Sequence, residues 1–160
     1  MKNNFPYLNV YKKKTENSEV VTQLLYGEIF KKINENRSWI KIKNISDNYK
    51  GYIKNKKYFN YLEPTHKVNT LKAKIFKMPS KIKKKEISFG SKIKVIDTNS
   101  RFLKCANGWI KKNDVKPISY REKDPFRKIT SFKNIRYKWG GKSFKGIDCS
   151  ALVQVFLNFN

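Results

Sequence analysis

Histidine, cysteine and acidic residues are scarce in this 160-residue chain, and each shortage excludes a class of protein. Two cysteines, Cys105 and Cys149, are too few for a disulfide framework. Together with the single histidine, His66, they are also too few for a tetrahedral zinc site. We therefore expect no structural metal, and no motif in the sequence indicates another cofactor.

Long apolar runs are absent as well. No stretch approaches the length of about 18 residues that a membrane-spanning helix requires. The N-terminal sequence MKNNFPY leads into a polar segment, without the apolar run and the cleavage site of a secretory signal. A cytoplasmic protein is therefore expected, provided that Met1 is the true start.

The charge of the chain is strongly unbalanced, with 37 lysines and arginines against 12 acidic residues and a formal net charge of +25. Such a charge would attract nucleic acid, anionic lipid or acidic polymers. However, lysine is spread along nearly every segment, and no arginine-rich helix or aromatic–basic RNA motif stands out. The distribution favours a solvated lysine surface, and a dedicated nucleic-acid patch is the less favoured interpretation.

An internal repeat organises most of the chain. Four short matches recur in the same order, each next to strand-like alternation of apolar and lysine residues. They pair residues 10–12 with 75–77, 26–29 with 89–92, 39 and 42 with 102 and 105, and 51–54 with 108–111. Because Cys105 falls on the repeat position of Ile42, we expect it to be a small core residue.

Each repeat consists of short strands separated by glycine, asparagine, aspartate and serine clusters, which is typical of small antiparallel barrels. The repeats resemble bacterial SH3-like domains, in which a glycine–aromatic pair such as Gly51-Tyr52 begins a late strand. We therefore predict a mainly β chain with two tandem SH3-like β-barrels over residues 1–63 and 68–119. The proline-bearing segment between them is expected to be a linker, with His66 a solvated residue of that linker and no catalytic group.

The last forty residues have a different character. A loop punctuated by glycines delivers Asp148, Cys149 and Ser150 to the start of an apolar helix. Apolar residues cover most of the circumference of this helix, which predicts that it is buried. Asp148 is a suitable N-cap, and a cysteine in the first turn of a helix is favoured as the reactive thiolate. A buried, inert cysteine at a helix start fits the same pattern, so the residues alone leave both interpretations open.

The segment from Tyr137 to Gln154 reads YKWGGKSFKGIDCSALVQ and resembles the nucleophile segment of the NlpC family of papain-like cysteine peptidases. The likeness covers roughly residues 135–157, and it departs from the family at Ala151, where glycine is usual. It implies that residues 120–160 are the N-terminal, helical part of an α+β papain-like domain.

Members of that family hydrolyse γ-D-glutamyl–diamino acid bonds in peptidoglycan stem peptides. By resemblance, Cys149 would be the nucleophile and Tyr137 would help to bind the oxyanion, while Asp148 and Ser150 would contact substrate. Members with two leading SH3-like domains resemble enzymes of murein peptide recycling, whose partner is a peptidoglycan-derived peptide with a free N-terminal L-Ala. Tyr49 and Glu19 would recognise its amine.

A thiolate nucleophile in this family is paired with a histidine some fifty residues downstream, and no histidine follows Cys149 here. The chain is therefore expected to be a fragment of a longer product, without peptidase activity of its own. The competing hypothesis is a non-enzymatic module in which two basic SH3-like domains bind cell-wall peptide or nucleic acid.

Overall fold

The structure is a computed structural model that describes residues 1–79 and 81–160. Within these residues the chain forms fifteen strands and one α-helix, and two short 3-10 turns occupy Lys112–Asp114 and Ile129–Phe132. The elements are β1 (Tyr7–Tyr11), β2 (Val20–Leu25), β3 (Phe30–Glu35), β4 (Trp39–Asn44), β5 (Lys50–Lys54), β6 (His66–Val68), β7 (Lys72–Met78), β8 (Lys81–Ser88), β9 (Lys92–Ile93), β10 (Val95–Thr98), β11 (Phe102–Cys105), β12 (Gly108–Lys111), β13 (Val115–Pro117), β14 (Lys142–Ser143), β15 (Gly146–Ile147) and α1 (Cys149–Phe159).

The predicted internal repeat is confirmed by the strand topology. One five-stranded antiparallel sheet has the order β2-β1-β5-β4-β3, and the other has the order β8-β7-β12-β11-β10. Counterparts from the sequence repeat occupy equivalent places, since Tyr11 pairs with Tyr52 in the first sheet where Phe76 pairs with Trp109 in the second. We call the two sheets and their connections the first and second units.

The prediction of closed barrels is not confirmed, because neither five-stranded ladder closes into a ring within residues 1–79 and 81–160. The first sheet nevertheless wraps around one core, since Leu24 of β2 and Phe30 of β3, on opposite edges, belong to the same buried cluster. Lys2 forms isolated antiparallel bridges with Ile29, just before β3, and with Phe59, after β5, so the N-terminal segment is tied to this unit.

The units are interlocked by an aromatic–glycine turn that occurs once in each repeat. Tyr26 leaves the first unit and is buried in the core of the second, where Asn107 donates a hydrogen bond to its hydroxyl. The next residue, Gly27, has φ +80°, and an added Cβ would lie 1.9 Å from the carbonyl oxygen of Lys92. In the second repeat Phe89 takes the place of Tyr26 and is buried among residues of α1.

The C-terminal segment packs one face of α1 against both units. Its buried residues are Ala151, Val155, Phe156 and Phe159. The opposite face is open, with Val153 45% and Leu157 54% exposed. The prediction of a helix buried all round is therefore wrong, because the two units and the preceding loop cover α1 from one side.

The segment between the two large sheets differs from the predicted linker. His66 begins β6, which lies between β13 and β9 in a three-stranded sheet, and its side chain is half-buried. Burial lowers the pKa of His66. The prediction for Cys105 is confirmed, because it is 4% exposed in the core of the second unit.

Candidate active site

The start of α1 is held by a side-chain cap. Asp148 has an extended backbone, and its Oδ1 accepts a hydrogen bond of 2.7 Å from the backbone N–H of Ala151. The hydroxyl of Ser150 donates to the same oxygen at 2.8 Å. The predicted N-cap is therefore confirmed, and it places Cys149 as the first residue of the helix.

Cys149 is exposed, in contrast to the buried Cys105. It lines an open groove with a volume of about 380 Å³, together with Asp148 and Tyr137. The remaining lining residues are mostly apolar, namely Ile129, Phe132, Lys133, Ile135, Ile147 and Leu152. Of the two interpretations left open by the sequence, the one with a buried cysteine is wrong.

Tyr137 is brought to Cys149 by a short parallel bridge. The backbone N–H of Ile147 donates to the carbonyl of Arg136, and the N–H of Lys138 donates to the carbonyl of Ile147. These two bonds flank Tyr137 and fix it beside the strand that leads into α1, while its side chain stays 64% exposed. A phenol and a thiol therefore share one groove, with the phenol free to donate a hydrogen bond.

The glycine-rich loop before β14 rests on the first unit. Gly140 has φ +65°, and an added Cβ would lie 2.1 Å from the carbonyl oxygen of Val20, so only glycine fits this contact. The adjacent Trp139 donates from its indole Nε1 to Glu19 Oε1 at 3.1 Å. Glu19 also accepts from Lys12 Nζ at 2.9 Å. The hydrogen bonds from Lys12 and Trp139 lower the pKa of the Glu19 carboxyl.

A buried charge cluster fastens the same segment to the first unit. Lys142 Nζ lies 2.9 Å from Glu28 Oε1 and 3.3 Å from Asp47 Oδ2, and all three side chains are nearly inaccessible to solvent. Burial acts to lower the pKa of Lys142, but the two carboxylates outweigh it and raise the pKa, so the ammonium group is retained. The backbone N–H of Lys142 also donates to Gln23 Oε1 at 2.9 Å.

Tyr49 lies on the turn between β4 and β5 and is 42% exposed. Its backbone N–H donates to Asp47 Oδ1, and the other oxygen of Asp47 faces Lys142. Tyr49 is thus connected through one carboxylate to the segment that carries the cysteine, and Glu19 is connected to it through Trp139. The roles of both residues in substrate binding stay predictions.

His66 lies beside the far end of α1. Its neighbour Lys67 donates to the carbonyl of Phe159 in the last turn of the helix, whereas Cys149 begins the first turn. The helix rises by about 1.5 Å per residue, so these two ends are roughly 15 Å apart. This histidine is not positioned to take a proton from Cys149.

Several residues of the site were missed by the sequence analysis. A buried lysine has no recognisable signal among 37 basic residues, so Lys142 could not have been singled out. Glu28 did carry a weak signal, because its repeat counterpart is the uncharged Ser91. Trp139 and Gly140 belong to the motif around Cys149, but their contacts with the first unit depend on the tertiary fold.

Within the described ranges 1–79 and 81–160, no three histidine, cysteine or acidic side chains converge in a way that could hold a metal ion. No helix in these ranges is long and apolar enough to cross a membrane.

Comparison with known proteins agrees with this architecture. The family model for the bacterial SH3 domain matches residues 6–59, within the first unit. No curated protein sequence matches the chain. The crystal structure of an NlpC/P60 family protein from Bacillus cereus ATCC 10987 aligns with a TM-score of 0.81 at 16% identity, covering 99% of this chain and 71% of that one. At this identity the likeness shows the fold alone.

A second solved structure, NlpC2 from Trichomonas vaginalis, aligns over 96% of this chain and 62% of that one, at 14% identity. Its TM-score of 0.33 is too low to carry an argument about this chain. The chain is thus mainly β, matches the bacterial SH3 domain model over residues 6–59 and shares its fold with an NlpC/P60 family protein.

Proposed function

We propose that this chain supplies the nucleophile and the substrate-binding units of an NlpC/P60-type cysteine peptidase that cleaves γ-D-glutamyl–diamino acid bonds in peptidoglycan stem peptides. The observation that supports this most directly is the exposed Cys149 at the capped start of α1, beside Tyr137 in an open groove. The shared fold with an NlpC/P60 family protein adds to it.

The chemistry follows from the positions of the two side chains. The thiolate of Cys149 would attack the γ-carbonyl carbon, and the carbonyl oxygen would become an oxyanion. Unpaired N–H groups in the first turn of α1 and the hydroxyl of Tyr137 can donate hydrogen bonds to that oxygen. Stabilisation of this kind contributes about 3–4 kcal/mol per donor in comparable sites.

Turnover also needs a base that accepts the thiol proton and later activates water. The single histidine of the chain lies beside the opposite end of α1, so it cannot do this. We therefore expect the chain to react once with an electrophilic substrate analogue and not to hydrolyse a stem peptide by itself. Release of L-Ala-D-Glu from a murein tripeptide by the purified chain would contradict this.

Recognition of a free N-terminal L-Ala is proposed to involve Glu19 and Tyr49. Burying or partly burying an ammonium group requires an anionic partner. Glu19 is such a partner, since its side chain is 40% exposed and its hydrogen bonds with Lys12 and Trp139 lower the pKa of its carboxyl. The substrate amine would compete with Lys12 for this carboxylate. The proposed setting is cytoplasmic recycling of murein peptides.

The experiment is affinity labelling with the dipeptide L-Ala-γ-D-Glu carrying a chloromethyl ketone at the γ-carboxyl. We expect saturable alkylation of Cys149, located by mass spectrometry and abolished in Cys149→Ala. The matched probe with L-Glu should react much more slowly, and the N-acetylated probe should lose saturation because Glu19 has no ammonium to bind. Tyr137→Phe should slow the labelling less than Cys149→Ala.

Equal, unsaturable rates for all three probes would overturn the proposal and favour the non-enzymatic alternative, for which the net charge of +25 is the specific observation. If that alternative holds for nucleic acid, the affinity for an oligonucleotide should fall steeply as salt rises.

A further inference from the structure

The free end of the β7–β8 hairpin combines exposed apolar side chains with lysines. We call the residues 77–79 and 81–84 the hairpin tip. Met78 is 47% exposed, and Ile82, at 65%, is the most exposed aliphatic side chain among residues 1–79 and 81–160. A single exposed apolar side chain is ordinary on a protein surface, but two together at one end of a hairpin, surrounded by lysines, are typical of a surface that binds something.

The conformation of Ile82 adds a second, independent observation. Its φ is +46°, in the left-handed region. For a β-branched residue this conformation is strained, and strain of this kind persists where it has a function. Ile82 is the second residue of β8, so the strained residue is also an exposed one, next to the free end of the hairpin.

Charge is the third observation, and the repeat provides an internal comparison. The hairpin tip carries four lysines and no acidic residue. The corresponding β1–β2 connection of the first unit, residues 12–19, has three lysines and two glutamates and no large apolar residue. Both of those glutamates form ion pairs with lysines, Glu19 with Lys12 and Glu16 with Lys54. In the second unit Lys83 also pairs with a glutamate, Glu86 of β8, at 3.5 Å. Of the two corresponding connections, the one in the second unit is therefore the more basic, and it alone carries exposed apolar side chains.

We propose that the hairpin tip docks onto the surface of an anionic phospholipid bilayer. Met78 and Ile82 would enter the interface between headgroups and acyl chains, while the lysines reach the headgroup phosphates. Nucleic acid is the other polyanion that four lysines could bind, but binding of single strands uses aromatic stacking surfaces. The hairpin tip has aliphatic side chains and no aromatic one.

This proposal uses none of the residues of the cysteine groove, so it can stand or fall separately from the proposed peptidase function. No helix in residues 1–79 and 81–160 could span a membrane, so the proposed contact is with the membrane surface only.

The test is co-sedimentation of the purified chain with vesicles of phosphatidylcholine, with and without phosphatidylglycerol. We expect binding only when phosphatidylglycerol is present. Ile82→Ser should lower the partition coefficient by about tenfold, the effect of withdrawing much of one aliphatic side chain from the interface. The matched control is Ile96→Ser, because Ile96 is 60% exposed on β10 and should not contribute.

The electrostatic part is tested by neutralising Lys83 and Lys84 to glutamine together. Each lysine near an anionic surface contributes about fivefold to binding, so the pair should lower the partition coefficient by about 25-fold. Neutralising Lys13 and Lys14, in the corresponding connection of the first unit, removes the same charge and should have a smaller effect. Thermal unfolding of each variant checks that the fold is retained.

Insertion is tested directly by Ile82→Trp, whose emission should shift to the blue on binding and be quenched by brominated lipid, unlike that of Ile96→Trp. Equal losses for the hairpin-tip variants and their controls would overturn the proposal, as would unchanged binding by Ile82→Ser. The proposal would also be overturned if neutralising lysines anywhere in the chain weakened vesicle binding equally and the emission of Ile82→Trp did not shift. That result would show that the chain binds anionic vesicles through its overall positive charge.

Discussion

Replacing Lys142 with methionine should weaken the attachment of the C-terminal segment to the first unit. The side chain of Lys142 is 1% exposed, and its ammonium group lies between the carboxylates of Glu28 and Asp47, at 2.9 and 3.3 Å. Methionine fills a similar volume but leaves two buried carboxylates without their cation. Removing one partner of a buried ion pair lowers the free energy of unfolding by about 3–5 kcal/mol.

The expected loss lies near the lower end of that range, because both carboxylates keep other donors. Glu28 Oε2 accepts from the backbone N–H of Leu25 at 2.8 Å. Asp47 Oδ2 lies 3.3 Å from the hydroxyl of Thr22 and its Oδ1 accepts from the N–H of Tyr49. We therefore expect Lys142→Met to lower the free energy of unfolding by about 3 kcal/mol.

Guanidinium chloride unfolding followed by tryptophan fluorescence measures this loss, and hydrogen exchange in α1 shows where it acts. Lys145→Met, at an exposed position three residues on, is the matched control and should be nearly neutral. Combining Lys142→Met with Glu28→Gln removes one of the two unpaired buried charges. The double variant should therefore lose less free energy of unfolding than the two single variants lose in total, by about 1 kcal/mol or more. A loss below about 1 kcal/mol for Lys142→Met, or simple additivity, would show that the cluster does not hold the segment.

Three further predictions concern other parts of the chain. N-ethylmaleimide should modify Cys149 in the native chain and Cys105 only after unfolding, because Cys105 is buried and burial raises the pKa of its thiol. Mass spectrometry that found Cys105 modified first would refute this. Phe89→Ala should lower the free energy of unfolding by about 3–5 kcal/mol, because Phe89 stacks on Phe159 and links α1 to the second unit. If calorimetry shows a loss of stability no greater than that of Phe144→Ala, this prediction is contradicted. Burial lowers the pKa of Lys67 from 10.5 to about 8, so the folded state favours its neutral form, and stability should rise as the pH increases from about 8 to 10.5. In Lys67→Met the denaturant midpoint should no longer rise over this pH range. If the midpoint of the variant rises as that of the native chain does, Lys67 is not the source of the pH dependence.

Much of the fold followed from local patterns. Alternation of apolar and lysine residues marks strands, because side chains on a strand point to opposite faces. The repeat then aligned the two units closely enough to place Cys105 in the core and to match Tyr11–Tyr52 with Phe76–Trp109. The prediction failed for α1, where counting apolar residues around the helix could not show that packing covers one side only.

The candidate site divides in the same way. Tyr137, Asp148, Cys149 and Ser150 lie within a short stretch, so capping rules and motif spacing were enough to single them out. The buried cluster around Lys142 joins residues about a hundred positions apart, and no local rule relates them. The same holds for the indole of Trp139 on Glu19 and for Gly140 against Val20.

The sequence alone thus determined the β character of the chain, its duplication and the capped start of the helix that carries Cys149, since each depends on periodicity or on neighbours within one turn. Only the tertiary structure decided how the pieces fit together. The aromatic residue of each repeat turn is buried in the part of the chain that follows, since Tyr26 lies in the core of the second unit and Phe89 lies among residues of the C-terminal segment. That choice depends on which surfaces meet when the chain folds, and burial of a side chain against a distant surface leaves no trace in the local pattern.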